Sequence, residues 1–351
     1  MWFTSDNAAG ASPEVMEALV RANDGYAGAY GNDPLTARAQ DLIREVFEAP
    51  QAAVHFVATG TAANSLALAC MTPPWSGVYC HRSAHIEVDE CGAPEFYTNG
   101  AKMVLVDGAD GRMAPAALNS AIPPTEGHAV HHVQRGALSL TNATECGTVY
   151  TVEQVRALTD IAKAKCAPVH MDGTRFANAV ATLGCSPAEL SWKAGVDILC
   201  LGATKNGALA AEAVIIFDPQ LAWEFELRRK RGGHLFSKMR FVAAQFEAMM
   251  TNDLWLQNAR RANAMADQLA GGVLSLPGGT LSHPREANLV FAGLPRRAHT
   301  VARDRGAAYH NWPTSQASDG PDDEILTCRL VCSAQTNERD IDAILAAFRA
   351  G

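Results

Sequence analysis

One lysine of the sequence stands where a lysine could act as a nucleophile. Lys205 follows the apolar run 197–201, which predicts a buried strand, and lies in the turn 202–207 between small residues. Burial and neighbouring charge in such a place can remove the proton of a lysine, as Schiff-base chemistry requires. The other six lysines fit a strand entry or the polar faces of helical and connecting segments. A structural role at the strand end is the alternative for Lys205.

A turn of small residues predicts a site for an anion. Residues 59–64 follow the apolar run 53–57 and open an apolar helix. The free N–H groups and the positive end of the dipole at a helix start favour a phosphate, and Gly60 lets the backbone come close. Thr59, Gly60 and Thr61 are therefore candidate phosphate-binding residues. The alternative is a tight turn in which a threonine only caps the helix.

An acid and a guanidinium follow another buried run. Asp172 ends the run 169–171, and Arg175 comes three residues later. Ligands of open α/β sheets bind at the carboxyl ends of strands. An aspartate there could keep a heteroaromatic nitrogen protonated, and Arg175 could take a carboxylate in fork geometry. The alternative is an aspartate that caps the next turn beside a surface arginine.

Alternating strands and helices are predicted to carry these residues. Helix-start signals lie between the apolar runs: Asp33 with Pro34 precedes one helix, and Thr151 with Gln154 forms a capping box before another. The alternation predicts an α/β fold with a mostly parallel sheet between helices. A charge-rich helical connection over 219–269 follows, broken near a glycine pair. The predicted strands are 53–57, 103–106, 137–140, 169–171, 197–201 and 213–217.

The C-terminal part of the sequence has a different texture. Proline and glycine punctuate the strand-like segments 288–291 and 325–332, and a closing helix is predicted over 337–349. This pattern predicts a small α+β domain. We therefore expect a large cofactor-binding α/β domain over 1–245, including the N-terminal segment, and a small domain over 246–351.

Composition excludes several classes of partner. The formal net charge of -8 and the lack of a basic run argue against nucleic acid. No stretch reaches the roughly 18 apolar residues of a membrane span, and the start carries no export signal. Nine cysteines without a CxxC pair argue against a disulfide framework or a zinc cluster. We expect a cytoplasmic protein and assign no catalytic metal.

The order of phosphate turn, strand-end acid and strand-end lysine is typical of pyridoxal 5'-phosphate enzymes. It resembles the aspartate-aminotransferase superfamily. Within that superfamily the sequence most closely resembles the low-specificity L-threonine aldolases of the β-eliminating lyase group, nearly from end to end. The matching stretches are 5–7 (SDN), 30–34 (YGNDP), 59–64 (TGTAAN), 83–85 (SAH), 170–175 (HMDGTR), 204–207 (TKNG) and 328–331 (CRLV).

The resemblance implies fold type I and a role for each site residue. Asp172 would hold the pyridine nitrogen of the cofactor, and Lys205, beside Thr204, would hold its aldehyde carbon. His85 would stack on the cofactor ring near the substrate hydroxyl; a purely structural histidine is the alternative. The substrate carboxylate would be held by Ser5, Arg175 and Arg329. For Arg329, in an alternating strand, the alternative is an outward-facing surface charge.

One departure from the family pattern leaves the catalytic base open. Some members carry a second active-site histidine in the motif that here occupies residues 140–147 and contains none. Glu145 is the candidate for that space. The base could be His85 itself, or a water held by His85 and Glu145.

The resemblance implies reversible cleavage of L-threonine, L-allo-threonine and related β-hydroxy-α-amino acids to glycine and an aldehyde, with a phenylserine-cleaving variant possible. The alternatives are transamination, β-elimination or aldehyde exchange with the same cofactor, and a cofactor-binding module without turnover. A homo-oligomer, dimer or tetramer, with active sites between subunits is also implied. The basic segments 229–231 and 238–240 could reach a cofactor phosphate across that interface, or could simply be a solvated helix.

Overall fold

A mostly parallel β-sheet forms the centre of the computed structural model, which describes residues 1–124, 129–317 and 319–351. Across these residues the strand order is β1-β7-β6-β5-β4-β2-β3. Strand β7 runs antiparallel to both of its neighbours, and the remaining pairs are parallel. The strands are β1 (Ala53–Val57), β2 (Ser76–His81), β3 (Lys102–Val106), β4 (Gln134–Thr141), β5 (Val169–Gly173), β6 (Ile198–Gly202) and β7 (Glu212–Ile216).

Helices cover both faces of this sheet. Alternate residues of β6 show the division: Leu199 and Leu201 join one apolar core, whereas Ile198 and Cys200 join another on the opposite face. No helix in the described ranges is long and apolar enough to cross a lipid bilayer. The helices are α1 (Pro13–Ala22), α2 (Pro34–Val46), α3 (Gly60–Met71), α4 (His85–Val88), α5 (Ala93–Tyr97), α6 (Pro115–Ala121), α7 (Val152–Ala164), α8 (Phe176–Leu183), α9 (Pro187–Leu190), α10 (Ala222–Arg231), α11 (Arg240–Met250), α12 (Leu254–Leu274), α13 (Arg296–Asp304) and α14 (Glu338–Arg349).

A smaller antiparallel sheet has a core of its own. Its strand order is β10-β11-β9-β8, and its apolar face packs against α12, α13 and α14. Phe3 is buried in this core, and its backbone bonds Ala308 and Val331. Phe3, which the predicted division assigns to the large domain, thus packs in the core of the small sheet. The strands are β8 (Thr280–Leu281), β9 (Leu289–Pro295), β10 (His310–Asn311) and β11 (Ile325–Val331).

The predicted elements are present, but the sequence did not predict β2 of the large sheet or the two-residue strands β8 and β10 of the small sheet. All six predicted strands of the large sheet form within a few residues of their expected bounds. Strand β2 was not predicted because its sequence SGVYCH has a run of only three apolar residues, flanked by small and polar ones. The Thr151 capping box forms as expected, and so does the break in the helical connection, which has a second break at 251–253. The domain boundary at residue 245 falls inside α11, and the division stays a prediction.

The strand directions bring the candidate residues to one edge of the large sheet. Strands β1, β4, β5 and β6 are mutually parallel, so that their carboxyl ends meet there. The reversed strand β7 begins at the same edge, where Glu212 pairs with both Val57 and Gly202. The turns that contain Thr59, Asp172 and Lys205 therefore open on a common space.

Candidate active site

The anion turn forms as the sequence predicts. Thr59 caps α3 in an extended conformation, and its hydroxyl accepts a hydrogen bond from the Ala62 N–H at 3.2 Å. The first N–H groups of a helix have no partner within the helix, and those of Gly60 and Thr61 belong to this set. A Cβ built on Gly60 would lie 3.5 Å from the Thr174 hydroxyl oxygen. The turn therefore lies beside the loop that follows Asp172.

Asp172 is buried at the end of β5 and is held by Thr174. Its Oδ1 accepts hydrogen bonds from the Thr174 hydroxyl at 2.7 Å and from the Thr174 N–H at 3.0 Å. Burial alone would raise the pKa of Asp172, but these bonds and the nearby charge of His85 hold that pKa below its ordinary value. Asp172 is thus a buried, ionised acceptor that could bind a protonated ring nitrogen.

Lys205 follows β6 in a short 3-10 turn, Thr204–Asn206. The Thr204 hydroxyl accepts a hydrogen bond from the Ala211 N–H at 3.1 Å, which closes the turn onto the start of β7. Among the described residues, Asp6 and Glu212 are near enough to Lys205 for their charges to interact with it. Burial raises the pKa of Glu212 to about 7, although Thr204 and Lys205 act in the opposite direction.

His85 is oriented by a buried carboxylate. Its Nδ1 lies 2.8 Å from Glu90 Oε1, and the Asn64 amide donates to the same oxygen at 2.9 Å. Its Nε2 lies 3.9 Å from Asp89, beyond hydrogen-bonding distance. The hydrogen bond to Glu90 is the main reason why the pKa of His85 is above its ordinary value. Asn64 belongs to α3, the helix that begins at the predicted anion turn. The two hydrogen bonds to Glu90 therefore connect the ring of His85 to this helix.

The guanidinium of Arg175 forms a bidentate ion pair with Asp6. Its Nε and Nη2 donate to the two carboxylate oxygens of Asp6 at 2.8 and 2.9 Å, and both side chains are buried. Asn288 also donates to Asp6, at 3.0 Å. The sequence predicts this fork on a carboxylate ligand, but in the structure it binds the carboxylate of Asp6. The Nη1 atom of Arg175 is not part of this pair and lies 4.0 Å from Glu145 Oε1, so it could bind a further anion.

Arg329 points into the site and is incompletely bonded. Its Nη2 makes a long hydrogen bond of 3.4 Å to the carbonyl of Thr4, and its buried Nε has no partner among the described residues. Burial, with repulsion from Arg175, lowers the pKa of Arg329, whereas Glu145 and Asp6 act against this shift. The alternative of an outward-facing surface charge is therefore wrong. A half-buried guanidinium with a free N–H is suited to bind a carboxylate.

Two further predicted residues are Ser5, which bonds its neighbours in sequence, and Glu145, which interacts through its charge. The Ser5 hydroxyl accepts from the Asn7 N–H at 3.1 Å and lies 3.5 Å from Asp6 Oδ1, so Ser5 supports the loop that holds Asp6. Glu145 carries a charge that interacts with His85, Arg175 and Arg329.

Of the basic segments, Arg229 is not available to a neighbouring subunit. It is buried, pairs with Glu226 at 2.9 Å and donates to the carbonyl of Phe56 at 3.2 Å. Lys230 lies over the ring of Tyr30 at 4.8 Å. Arg231 and Lys238 are exposed.

Three residues of the site were missed from the sequence. Asp6 belongs to the stretch 5–7 (SDN), but nothing in the sequence shows that it would contact Arg175. Glu90 lies in a polar stretch after His85 that reads as surface, and Glu212 precedes an apolar run as an ordinary strand entry. In the described ranges, no group of three or more histidine, cysteine or acidic side chains could hold a metal ion.

Comparison with known proteins places the chain among related enzymes. Residues 3–295 match the family described as beta-eliminating lyase. The chain is 45% identical over 310 residues to a low specificity L-threonine aldolase of Pseudomonas aeruginosa, covering 88% of this chain and 89% of that protein. A second, from a Pseudomonas species, is 39% identical over 348 residues, covering 99% and 97%. The solved structure of Leishmania major threonine aldolase matches with a TM-score of 0.90 at 27% identity, covering 99% of this chain and 98% of that one.

Replacement of Glu90 tests the histidine pair. Glu90→Gln should lower the pKa of His85, because a neutral amide oxygen accepts a weaker hydrogen bond from the protonated ring than a carboxylate does. The wild-type pair stabilises the fold below the ordinary histidine pKa of 6.5 and loses this contribution as pH rises through the raised pKa. Histidine-selective NMR titration measures the pKa, with exposed Glu45→Gln as the matched control. An unchanged His85 titration in Glu90→Gln would refute the pairing.

Proposed function

The chain belongs to the β-eliminating lyase family, and we propose that it uses pyridoxal 5'-phosphate to cleave L-threonine, L-allo-threonine and related β-hydroxy-α-amino acids. The products are glycine and an aldehyde, and the reaction is reversible. Because the bond that breaks joins two carbon atoms, the enzyme is a carbon–carbon lyase. One observation carries this proposal: an anion turn, a buried ionised aspartate and a strand-end lysine open on the same edge of the sheet. The names of the relatives supply the reaction class.

The residues present fit the cofactor. Thr59, Gly60 and Thr61 would bind its phosphate, where the helix start provides N–H donors. Asp172 would accept a hydrogen bond from the ring nitrogen and keep it protonated, and His85 would lie against the ring. Lys205, next to Thr204, would bind the aldehyde carbon covalently. When bound, pyridoxal phosphate supplies an electron sink that stabilises the negative charge left on Cα as a bond to it breaks.

The two site arginines would select the bond that breaks. Arg329, through its free N–H groups, and Arg175, through Nη1, would hold the substrate carboxylate. A carboxylate held at two points has a fixed angle to the reacting bonds, and this orientation favours one bond at Cα over the others. The ion pair with Asp6 would hold Arg175 rigid, so that binding would cost little side-chain entropy.

His85 would take the proton of the substrate β-hydroxyl. The hydrogen bond from Nδ1 to Glu90 favours the tautomer with hydrogen on Nδ1, which leaves the lone pair of Nε2 as the acceptor. Glu145 would balance the positive charge that develops on the ring, since the two groups interact electrostatically. A water held by His85 and Glu145 could carry the proton in place of direct contact.

We also propose a cytoplasmic homo-oligomer, dimer or tetramer, with sites between subunits. Large apolar side chains stand exposed, among them Tyr26, Phe96 and Trp223, as expected for buried contacts of an assembly. Arg231 and Lys238 remain candidates to reach a partner's cofactor phosphate. The nine cysteines are all free, which fits a reducing compartment. Sedimentation as a monomer would reject the assembly.

The proposed reaction makes a direct prediction about Lys205. Holoenzyme given L-threonine should release glycine and acetaldehyde without added keto acid. Lys205→Arg should lower this rate by at least about a thousandfold, the scale seen when a covalent nucleophile is lost. The same variant should lose the visible absorption band of the bound cofactor, because arginine cannot form the covalent link.

Exposed Lys102→Arg, at the start of β3, is the matched control and should retain both the rate and the absorption band. Formation of pyruvate and ammonia, or dependence on a keto acid, would instead indicate another pyridoxal-phosphate reaction. An unchanged spectrum in Lys205→Arg would remove Lys205 from its proposed role.

A further inference from the structure

Arg329 lies on the face of the small sheet that is turned away from that sheet's own core. Its neighbours along β11, Cys328 and Leu330, belong to the core against the helices, so Arg329 faces the other way. On this second face it is paired across the ladder with Phe291 of β9 and His310 of β10. Its side chain therefore leaves the small sheet in the direction of Arg175 and Glu145, with which it interacts electrostatically.

An indole ring covers this guanidinium. The centre of the Arg329 guanidinium lies 4.9 Å from the ring centroid of Trp312. Phe291 supports the indole from the side, with its ring at 5.8 Å in an edge-on arrangement. The contact thus has the distance and the composition of a cation–π interaction.

The backbone of Trp312 is fixed to the strand that carries Arg329. Its N–H donates to the carbonyl of Thr327 at 2.8 Å, two residues before Arg329 on β11. The Gln316 side chain donates to the Trp312 carbonyl at 2.6 Å and to the Thr327 carbonyl at 3.0 Å, and it accepts from the Thr327 N–H at 2.9 Å. The indole and the guanidinium are therefore held by one small unit of structure.

Arg329 has few other contacts to hold it in place. Its hydrogen bond to Thr4 is long, at 3.4 Å, and its Nε is buried without a partner among the described residues. The like charge of Arg175 repels it. A long, flexible side chain under repulsion would turn away unless something fixed its plane. The ring of Trp312, over which the guanidinium lies, limits this movement.

We propose that Trp312 is a positioning residue that holds Arg329 in place for the carboxylate of the amino-acid substrate, an inference that rests on the proposed function. Trp312 contacts neither the reacting atoms nor the cofactor in this role. It acts by lowering the entropy that the guanidinium loses when a carboxylate binds, and by holding it against Arg175.

The test compares two replacements of Trp312 in the holoenzyme. Trp312→Leu removes the aromatic face and should raise KM for L-threonine about tenfold, an effect between that of an exposed and that of a desolvated cation–π contact. The value of kcat should stay within about twofold, as expected when binding is weakened equally in ground and transition states. Trp312→Phe keeps a ring and should recover most of the loss. Trp75→Leu replaces an exposed tryptophan in the connection before β2 and should change nothing.

A binding measurement separates this role from a structural one. Glycine and 2-aminoethanol both carry an amine that can react with the bound cofactor, but only glycine has a carboxylate. Titration of each into holoenzyme, followed by the visible absorbance, should show weaker binding of glycine to Trp312→Leu by about the same tenfold factor. Binding of 2-aminoethanol should not change.

Three results would overturn the role of Trp312. They are an unchanged affinity for glycine in Trp312→Leu, an equal weakening of glycine and 2-aminoethanol, and a Trp312→Phe variant as weak as Trp312→Leu. Failure of the proposed function has a different signature, because the wild-type holoenzyme would then not cleave L-threonine. The comparison of glycine with 2-aminoethanol would still decide the role of Trp312 in that case.

Discussion

The direction of the strands in the large sheet is the constraint on which the site depends. Because β1 is parallel to β6 through the reversed strand β7 between them, the carboxyl ends of β1, β5 and β6 share one edge. Loops at the carboxyl ends of parallel strands are where open α/β sheets bind ligands. Residues 59, 172 and 205 are far apart in sequence. Each lies at or just after the carboxyl end of one of these strands, so the strand directions bring all three to the same edge. The reversal of β7 adds a further acid, Glu212, at the same place.

Asp6 and Arg175 form a buried ion pair at this edge, and the pair constrains the groups around it. Asp6 occupies the fork of Arg175, and Asn288 from the entry to the small sheet bonds Asp6 as well. Removal of one partner of a buried ion pair typically costs about 3–5 kcal/mol, because the other charge is left without compensation. The pair therefore ties the N-terminal segment to both sheets, and it leaves Nη1 of Arg175 outside the pair.

Much of this arrangement was predictable from the sequence, and the rest had physical reasons for being hidden. Features that depend on residues close in sequence were predicted correctly. They are the capping box at Thr151, the apolar runs of the predicted strands and the helix start at Thr59. Strand β2 was not predicted because it is buried although its sequence is not strongly apolar. The fork of Arg175 was assigned to a ligand because its partner, Asp6, lies 169 residues away. No periodicity or motif reports a contact of that range. The indole over Arg329 is nearer in sequence, but its position depends on the pairing of β10 with β11, which no sequence motif reports.

We propose that Lys205 is the residue that bears the cofactor, and this assignment can be tested directly. Sodium borohydride reduces the covalent link between a lysine and pyridoxal phosphate and makes it permanent, so the bearing residue can be mapped by proteolysis and mass spectrometry of the treated holoenzyme. We predict that the phosphopyridoxyl group is found on the peptide that contains Lys205. Its recovery on any of the other six lysines, or on none, would contradict the account.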